Sequence, residues 1–486
     1  MAITEILPAS VFQLNIEGLV SSVMAVERQP LAGLQSNQQT LSSRAATLSD
    51  LKSALSALRS KAQALAQAGI LSPFQAKAMS SSNTTVVTAT ASPSALAAVH
   101  SLSVTQLAKS STVVSKQLTS SATDVVTAEG TGTKSIKVTF DGTDPATSGT
   151  AVAVNVTLNA GDSNSAILTN IATAINNDAT LSAKVSASVV SDTSNTSRLV
   201  LTAKQTGLAN KVRVADTTGT LLSAIQLDSE AASSGTAGGS LFADAALDAK
   251  FKLDGLDITR SSNSPSDVLT GVTINLLGLS TSDVTLTVSS DKSAMKASVQ
   301  AFLDAYNKAL TFLRARIDVK VSTNSSAGST NVNSVTRGPL AGETTYVSLV
   351  SNLRSDVGNS VSSVQAGNPA LLADVGITAA SDGTLSISDT TKFDGAIGTK
   401  LNGLIDLFAS TNGVSGRLIA RLDGFVNTGG LIDGSLSAVT SKTQNITQQI
   451  TTLQDRLTRR EATLRQQLLD LQKALSVLST QRFLLQ

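Results

Sequence analysis

The C-terminal segment from Val439 to Gln486 constrains the fold most strongly, because leucine and isoleucine recur there at heptad spacing. A first row consists of Ile450, Leu457, Leu464, Leu471, Leu478 and Leu485, and a second row of Val439, Ile446 and Leu453. Two such rows form one apolar seam along a helix, as in coiled coils. Because no proline or glycine interrupts the segment, we expect a helix roughly 70 Å long that needs a partner.

Polar residues interrupt the second row, at Arg460 and Gln467. Polar side chains in a seam cost stability and can specify its register. One hypothesis is that they keep the coil loose enough to exchange partners. The alternative is that they face solvent where the seam drifts, since Leu468 and Leu475 join the apolar face near the end.

A second heptad helix lies near the N-terminus. Its first row is Leu34, Leu41, Leu48, Leu55 and Ala62, and its second row is Leu51, Leu58 and Leu65. Gly69 and Pro73 are expected to end it after roughly 35 residues. The spacing of Ile16, Leu19, Val20, Val23 and Met24 predicts a short amphipathic helix before it. The simplest partner for either heptad helix is the other one, or its equivalent in a neighbouring subunit.

Alternating Val- and Thr-rich runs fill the middle of the chain and predict strands. They lie near 84–108 and at 134–140, 151–158, 184–190, 197–203, 251–260, 272–278 and 283–290, with a helix at 163–178 and a loose spacer at 230–240. A helix follows from Asp291 to about Val319, then a polar loop at 322–336 and a mostly helical region with a hairpin at 377–388. This order predicts an α+β multidomain protein whose two ends form a stalk and whose middle forms a head.

Composition excludes several classes of function. The chain has 486 residues, enough for several domains, but no cysteine and a single histidine. Disulfides, thiolate metal sites and cysteine nucleophiles are therefore excluded. A net charge of +2 gives no reason to expect nucleic acid. We expect no membrane span, since there is no long apolar run, and no cleavable secretory signal, since the N-terminus lacks a basic region.

Candidate chemical motifs are weak. In EGTGTKS (129–135), Thr133 separates glycine from lysine, so a linker is favoured over a phosphate-binding loop. DGTDPATSG (141–149) lacks the closing glutamate of a calcium loop and predicts a turn. His100 is expected on a strand surface, because a lone histidine without cysteine cannot form a metal site. Catalytic, cofactor and metal sites are accordingly not predicted, and the chain is not expected to be an enzyme.

Five stretches spread along nearly the whole chain are distinctive: GLVSSVMAVERQPL (18–31), VTQLAKSSTVVSKQL (104–118), GPLAGETTYVSLVSNLRSDV (338–357), LADVGITAASDGTLSIS (372–388) and GLIDLFASTNGVSGRLIARLDGFVNTGGLI (403–432). In sequence and in order they resemble bacterial flagellar filament cap proteins, the hook-associated protein 2 family. The block from KVTF to LVLTAKQTG is similar to the β insert that flagellins and hook-associated proteins share.

The resemblance implies a discontinuous architecture. A terminal α-helical coiled-coil leg would comprise 1–43 and 433–486, and a helical-bundle domain 44–80 and 294–432. A first β-rich head domain would comprise 81–119 and 236–293, with a second at 120–235 inserted into it. Contacts within the coil, between subunits and with the filament are expected at Leu34, Leu41, Leu48, Leu51, Leu55, Leu58, Leu65, Ile446, Ile450, Leu453, Leu457, Arg460, Leu464, Leu471 and Leu478.

The resemblance also implies a function. A ring of identical subunits would sit at the distal tip of the filament, promote folding and insertion of exported flagellin, and prevent its loss. Flagellin and a cytoplasmic export chaperone at the C-terminal helix are the implied partners, and the flagellar type III system is the implied export route. The alternatives are a tip adhesin that binds host mucin or surface glycans, and a filament or junction subunit.

Overall fold

The computed structural model describes residues 15–326, 329–362 and 364–484, without the side chains of 321–334, 479 and 482–484. The chain divides into two compact units. One consists of Met1–Phe74 and Lys292–Gln486, and the other of Gln75–Asp291. The first is mainly helical and the second is mainly sheet. The predicted α+β class, with helical ends and a β-rich middle, is confirmed.

The helices are distributed as the periodicity predicts. In chain order they are α1 (Ile16–Glu27), α2 (Gln29–Leu65), α3 (Asp124–Glu129), α4 (Asn164–Asn177), α5 (Ala179–Lys184), α6 (Leu221–Ala224), α7 (Lys292–Ile317), α8 (Thr344–Gly358), α9 (Thr390–Thr399), α10 (Leu401–Ala409), α11 (Val414–Val426) and α12 (Leu431–Leu484). The predicted short helix, both heptad helices and the helices at 163–178 and from 291 are confirmed as α1, α2, α12, α4 and α7.

The strands occupy the middle of the chain and two hairpins of the helical unit. They are β1 (Lys77–Ser81), β2 (Val87–Ala91), β3 (Ala98–Gln106), β4 (Ser110–Val114), β5 (Leu118–Thr119), β6 (Gly132–Thr139), β7 (Val152–Leu158), β8 (Val185–Thr193), β9 (Thr196–Thr206), β10 (Arg213–Asp216), β11 (Gly239–Ser240), β12 (Ala249–Leu253), β13 (Leu256–Arg260), β14 (Val272–Leu276), β15 (Val284–Ser290), β16 (Val319–Ser326), β17 (Ser329–Arg337), β18 (Ile377–Ala379) and β19 (Leu385–Ile387).

The β-rich unit contains two hydrophobic clusters. One cluster draws its buried residues from 113–227 alone, and the other draws them from both flanks, 86–108 and 249–288. The flanking segments form a sheet in the order β1-β15-β3-β12-β13 and the pair β14-β2. The central segment forms β10-β6-β7 and a sheet in which β9 pairs with β4, β5 and β8 while β11 pairs with β4. Helix α4 packs on β7 and β8 and buries its apolar face there.

The helical unit has one large core. It joins apolar residues of α2, α7, α8, α9, α10 and α11 with the start of α12. Phe408 lies near its centre, with its ring centroid 6.0 Å from those of Phe74 and Phe302. Residues on α2 and α7 such as Leu55 and Tyr306 have no exposed surface. This core anchors the long helices.

A local break separates α1 from α2. The N–H of Arg28 donates to the Met24 carbonyl at 2.9 Å, and Pro30 occupies the first turn of α2. Proline has no N–H and is favoured at the start of a helix, where an unpaired N–H would otherwise occur. The N-terminal arm therefore consists of two consecutive helices.

Three predictions about loops are wrong or incomplete. The polar stretch 322–336 was expected to be a loop, but it forms the hairpin β16–β17. Its Ser-, Thr- and Asn-rich strands lack the apolar alternation that indicates a strand. The predicted linker 129–135 contains the start of β6, and the spacer 230–240 contains β11. Residues 141–149 form turns, as predicted.

Candidate partner interface on the terminal helices

The two heptad helices pair with each other within one chain. Helix α12 lies against α1 and α2. The Gln38 amide donates to the Thr447 hydroxyl at 2.8 Å, and the Lys52 ammonium lies 2.5 Å from the Asp433 carboxylate. Since the α2 position rises as the α12 position falls, the helices are antiparallel. The intrachain pairing, one of the two predicted possibilities, is therefore present in the structure.

The half of this pair nearer the core is deeply buried. We call it the proximal arm, residues 41–65 and 431–445. Its predicted contact residues Leu48, Leu51, Leu55, Leu58 and Leu65 are at most 1% exposed, and Leu41 is partly buried against the same core. Helices α7 and α11 cover this face of α2. These leucines consequently hold the helical unit together.

The outer half of the helix pair buries fewer side chains. We call it the distal arm, residues 16–40 and 446–484. Val20 and Met24 of α1 form a small cluster with Leu453 and Leu457 of α12. Packed at its edges and only partly buried are Ile16, Leu31, Leu34, Leu464 and Leu468. Ile450 is 8% exposed, and Ile446 is half-buried.

Apolar side chains become exposed toward the end of α12. Leu471 is 47% exposed and Leu478 is 60% exposed, although both belong to the predicted first row. Leu469 and Val477 are exposed as well. The distal cluster ends at Leu464 and Leu468, opposite the first turn of α1. Leu485, also in the predicted row, lies outside the described residues.

Three ion pairs join α1 and Arg28, the residue that follows it, to α12. Arg28 contacts Glu461 at 2.8 Å, Arg460 contacts Glu27 at 3.2 Å, and Arg465 contacts Glu17 at 2.9 Å. All three are solvent-accessible, so each is expected to contribute at most about 1 kcal/mol. The charges nevertheless match along the distal arm and favour its register.

Arg460 therefore differs from a polar residue within the seam. Its side chain is 48% exposed and reaches Glu27 at the edge of the interface, and Gln467 is exposed too. The second row becomes polar where the seam drifts toward solvent. This agrees with the second of the two hypotheses from the sequence, that Arg460 and Gln467 face solvent.

Two more ion pairs join α2 to the first turn of α12 and to α11. Lys52 contacts Asp433, and Arg59 contacts Asp423 at 2.5 Å. The hydrogen bond from Lys52, with a second from the Gly429 N–H, lowers the pKa of the Asp433 carboxyl below its ordinary value. Asp433 also lies in the first turn of α12, where the helix dipole favours a negative charge.

Helix α1 contributes contacts and exposed surface that the list of predicted contact residues omitted. Val20 and Met24 face α12, while Leu19, Val23 and Val26 remain 43%, 37% and 64% exposed. The spacing of the exposed residues, four and then three, places them on one side of the helix. The sequence signal for this surface was the number of apolar residues in α1, which is larger than one buried helix face needs.

Comparison with known proteins identifies the family. The N-terminal and C-terminal regions of flagellar hook-associated protein 2 match residues 13–111 and 246–480. The B-type flagellar hook-associated protein 2 of Pseudomonas aeruginosa is 30% identical over 403 residues, covering 79% of this chain and 78% of that protein. The chain belongs to the flagellar hook-associated protein 2 family.

Similarity to other family members extends further along the chain. The flagellar hook-associated protein 2 of Escherichia coli K12 is 27% identical over 481 residues, covering 97% of this chain and 96% of that protein. The crystal structure of the D1-D2-D3 domains of the Escherichia coli flagellar cap protein FliD has a TM-score of 0.61 at 25% identity. It matches 81% of this chain and 99% of that one.

The remaining candidate group from the sequence is His100. His100 Nδ1 lies 2.7 Å from a carboxylate oxygen of Asp254 in the turn after β12, a neighbour that the sequence did not predict. The hydroxyl of adjacent Ser101 donates to Asp283 at 3.0 Å. Among the described residues there is no metal-binding cluster of His, Asp or Glu, and no helix could span a membrane. In a member of this family, we interpret the pair of His100 and Asp254 as a structural link between β3 and the β12–β13 turn.

Proposed function

We propose that this protein caps the distal tip of the flagellar filament. A ring of identical subunits promotes the folding and insertion of exported flagellin and prevents its loss. Membership of the hook-associated protein 2 family, together with the likeness to the Escherichia coli cap protein over most of the chain, is the observation that carries this proposal. The family consists of structural flagellar components. The proposed activity therefore consists of forming and releasing non-covalent contacts between proteins.

The distal arm suits a contact that must be made and released. A fully buried leucine contributes about 2 kcal/mol, and a half-buried one contributes correspondingly less. Among the side chains of the distal arm that the structure describes, only Val20, Met24, Ile450, Leu453 and Leu457 are less than one tenth exposed. Exchange of partners there disturbs few buried side chains, whereas the proximal arm remains anchored in the core.

We assign the contacts with other molecules to the exposed part of the predicted set. Leu471 and Leu478 on α12, with the stripe of Leu19, Val23 and Val26 on α1, are available to neighbouring subunits and flagellin. The buried members, from Leu48 to Leu65 and from Ile450 to Leu457, support these contacts by holding the arm in shape. The charged rim around Arg460 sets their register.

The remaining expectations follow from the same assignment. The end of α12 binds a cytoplasmic export chaperone before the chain leaves through the flagellar type III system. The domains follow the expected order: a leg of 1–43 and 433–486, a helical domain of 44–80 and 294–432, and two head domains of 81–119 with 236–293 and of 120–235. Two boundaries are adjusted. The helical domain ends at Phe74 and resumes at Lys292, because β1 pairs with β15 in the β-rich unit, and the second head domain includes β4, because β4 pairs with β9. No observation favours the adhesin alternative.

Complementation tests the capping function. A strain that lacks its own copy of this protein is expected to shed unpolymerised flagellin into the medium and to lose motility. Supplying the full chain should restore filaments, and supplying the chain without residues 446–486 should not. Normal filaments from the truncated chain, or no rescue by the full chain, would contradict the proposal.

Matched substitutions separate the arm's own pairing from its external contacts. Val26→Asp alters the exposed stripe and should leave helix content unchanged while reducing motility. Met24→Asp, on the face toward α12, should also separate α1 from α12. Because the chaperone would bind the same helix, pull-down of the chaperone with each variant distinguishes failed export from failed capping.

A further inference from the structure

A cavity of about 590 Å³ lies within the helical unit, away from the terminal arms. Its walls come from α7, the C-terminal end of α8, the residues just before β18 and the β18–β19 hairpin. Leu371, Leu372, Val357, Ile377 and Leu385 make most of this surface apolar. The volume falls within the range of small-molecule sites in proteins.

A hydroxyl without a partner lies in the wall of this cavity. Tyr306 of α7 lines the cavity and is fully buried, and its hydroxyl has no hydrogen-bond partner among the described residues. Leaving a buried donor unpaired is costly, and such groups are rare in native proteins. Burial raises the pKa of the Tyr306 hydroxyl, so it is a neutral donor at physiological pH.

A cation without a partner lies beside the same cavity. Arg354 of α8 is exposed to solvent, lines the cavity with Tyr306, and forms no hydrogen bond or ion pair with any residue that the structure describes. It packs over the turn of the β18–β19 hairpin, where Gly383 has a φ of +88°. A Cβ at that position would lie 2.7 Å from Arg354 Nε. Because Gly383 has no Cβ, the guanidinium of Arg354 can occupy this space.

The other polar groups around the cavity are already engaged. Asn359 donates to the Ser355 hydroxyl at 2.8 Å, and Asp356 on the same helix pairs with Arg421. A free donor and a free cation thus coincide on an apolar cavity. Arginine and a tyrosine hydroxyl are both donors, and together they match a carboxylate.

We propose that this cavity binds a carboxylate that carries an aliphatic chain, with the carboxylate at Arg354 and Tyr306 and the chain against Leu371, Leu372 and Ile377. Two sources share this chemistry. One is a free medium-chain fatty acid, and the other is the C-terminal carboxylate of a peptide whose last side chain is apolar. The proposal is independent of filament capping, because no residue of the cavity belongs to the terminal arms.

Calorimetric titration of the full-length chain tests the proposal. Octanoate is expected to bind, and octanamide, which has the same chain and no charge, is expected to bind at least about tenfold more weakly. Arg354→Gln should remove this difference, and Tyr306→Phe should weaken octanoate binding by about fivefold. A peptide ending in leucine, with a free or an amidated terminus, distinguishes the two sources. Tighter binding of the free peptide than of octanoate indicates a chain terminus.

The only other tyrosine is a matched control. Tyr346 is also buried, but its hydroxyl bonds with Ser435 at 3.3 Å. Tyr346→Phe should therefore leave octanoate binding unchanged, as should Arg459→Gln on the exposed face of α12. Without ligand, Tyr306→Phe should raise the unfolding midpoint, because it removes an unpaired donor.

Three results would overturn the proposal. The first is an absence of binding up to millimolar octanoate, and the second is equal binding of octanoate and octanamide. The third is a lower unfolding midpoint for ligand-free Tyr306→Phe, since the hydroxyl would then already have a partner.

Discussion

The proximal and distal arms share one heptad repeat but differ in depth of burial. In the proximal arm Leu55 has no exposed surface, while in the distal arm Leu34 is partly buried and Leu471 is 47% exposed. The residue type is identical, and the first rows keep their spacing of seven residues. What differs is the number of neighbouring helices. Helices α7 and α11 complete the proximal arm, whereas α1 alone adds to the distal one.

This contrast shows what a heptad repeat does and does not specify. It selects the face of a helix that is apolar, because side chains three and four positions apart lie together. It does not specify how many elements will cover that face. The same sequence pattern therefore yields a rigid anchor at one end of the molecule and a lightly held pair of helices at the other.

The largest expected effect is the difference between the two arms in the stability lost when one leucine is truncated. Leu55→Ala should lower the free energy of unfolding by about 3 kcal/mol, because it leaves a cavity in a packed core. Leu464→Ala, at a partly buried position, should cost less than about 1 kcal/mol. Denaturation followed by far-ultraviolet circular dichroism reports on the helices concerned. Equal losses for the two variants would contradict the contrast.

A second pair of variants compares an ion pair in the helical core that anchors the proximal arm with an ion pair in the distal arm. Asp356 has a side chain that is 8% exposed and pairs with Arg421. Arg421→Met should therefore cost about 2 kcal/mol, since it leaves a buried carboxylate unpaired. Arg460→Met, in the accessible pair with Glu27, should cost below about 1 kcal/mol. The same denaturation experiment measures both, and a larger loss at Arg460 would argue for a buried role.

Ionic strength should affect the distal arm selectively. The three pairs that join α1 to α12 are exposed, so raising salt to about 1 M should weaken them, each by a fraction of a kcal/mol. Hydrogen exchange of α1 amides should become faster, while amides of α2 near Leu55 should keep their protection. Uniform acceleration along both helices would show that the two arms open together.

The smallest expected effect concerns acid. The pKa of Asp433 is held below its ordinary value of 3.8, chiefly by the hydrogen bond from Lys52. A carboxyl with a lowered pKa stabilises the folded state above pH 3.8, and this stability is lost as pH falls below that value. Asp433→Asn should reduce the pH dependence of the unfolding midpoint in this range. An unchanged pH profile would exclude a contribution from the pair.

Much of the fold was predictable because its elements carry strong periodicity. The long helices α2 and α12 follow from their heptads, and β6 to β9 follow from alternating Val and Thr. The hairpin β16–β17 was missed because its strands are polar on both faces, so no apolar pattern distinguishes them from a loop. The proximity of Asp254 to His100 was missed for a different reason. It joins residues more than 150 positions apart, and only strand pairing brings them together.

The candidate interface was predictable in outline. Heptad spacing located the helices that form the arm, but it could not separate leucines enclosed by α7 and α11 from those left exposed. Arg460 illustrates the limit. Its position in the second row suggested the interior of the seam, yet its guanidinium lies at the edge beside Glu27, because the seam drifts around the helix.

The sequence by itself determined that both ends of this chain are long helices with an apolar face, and that strands occupy the middle. It did so because local spacing decides which side chains share a face. Only the tertiary structure decided that the two helices pair within one chain, and where along them the leucines are enclosed. Those outcomes, like the meeting of Tyr306 and Arg354 at one cavity, depend on packing between segments that are far apart in the chain.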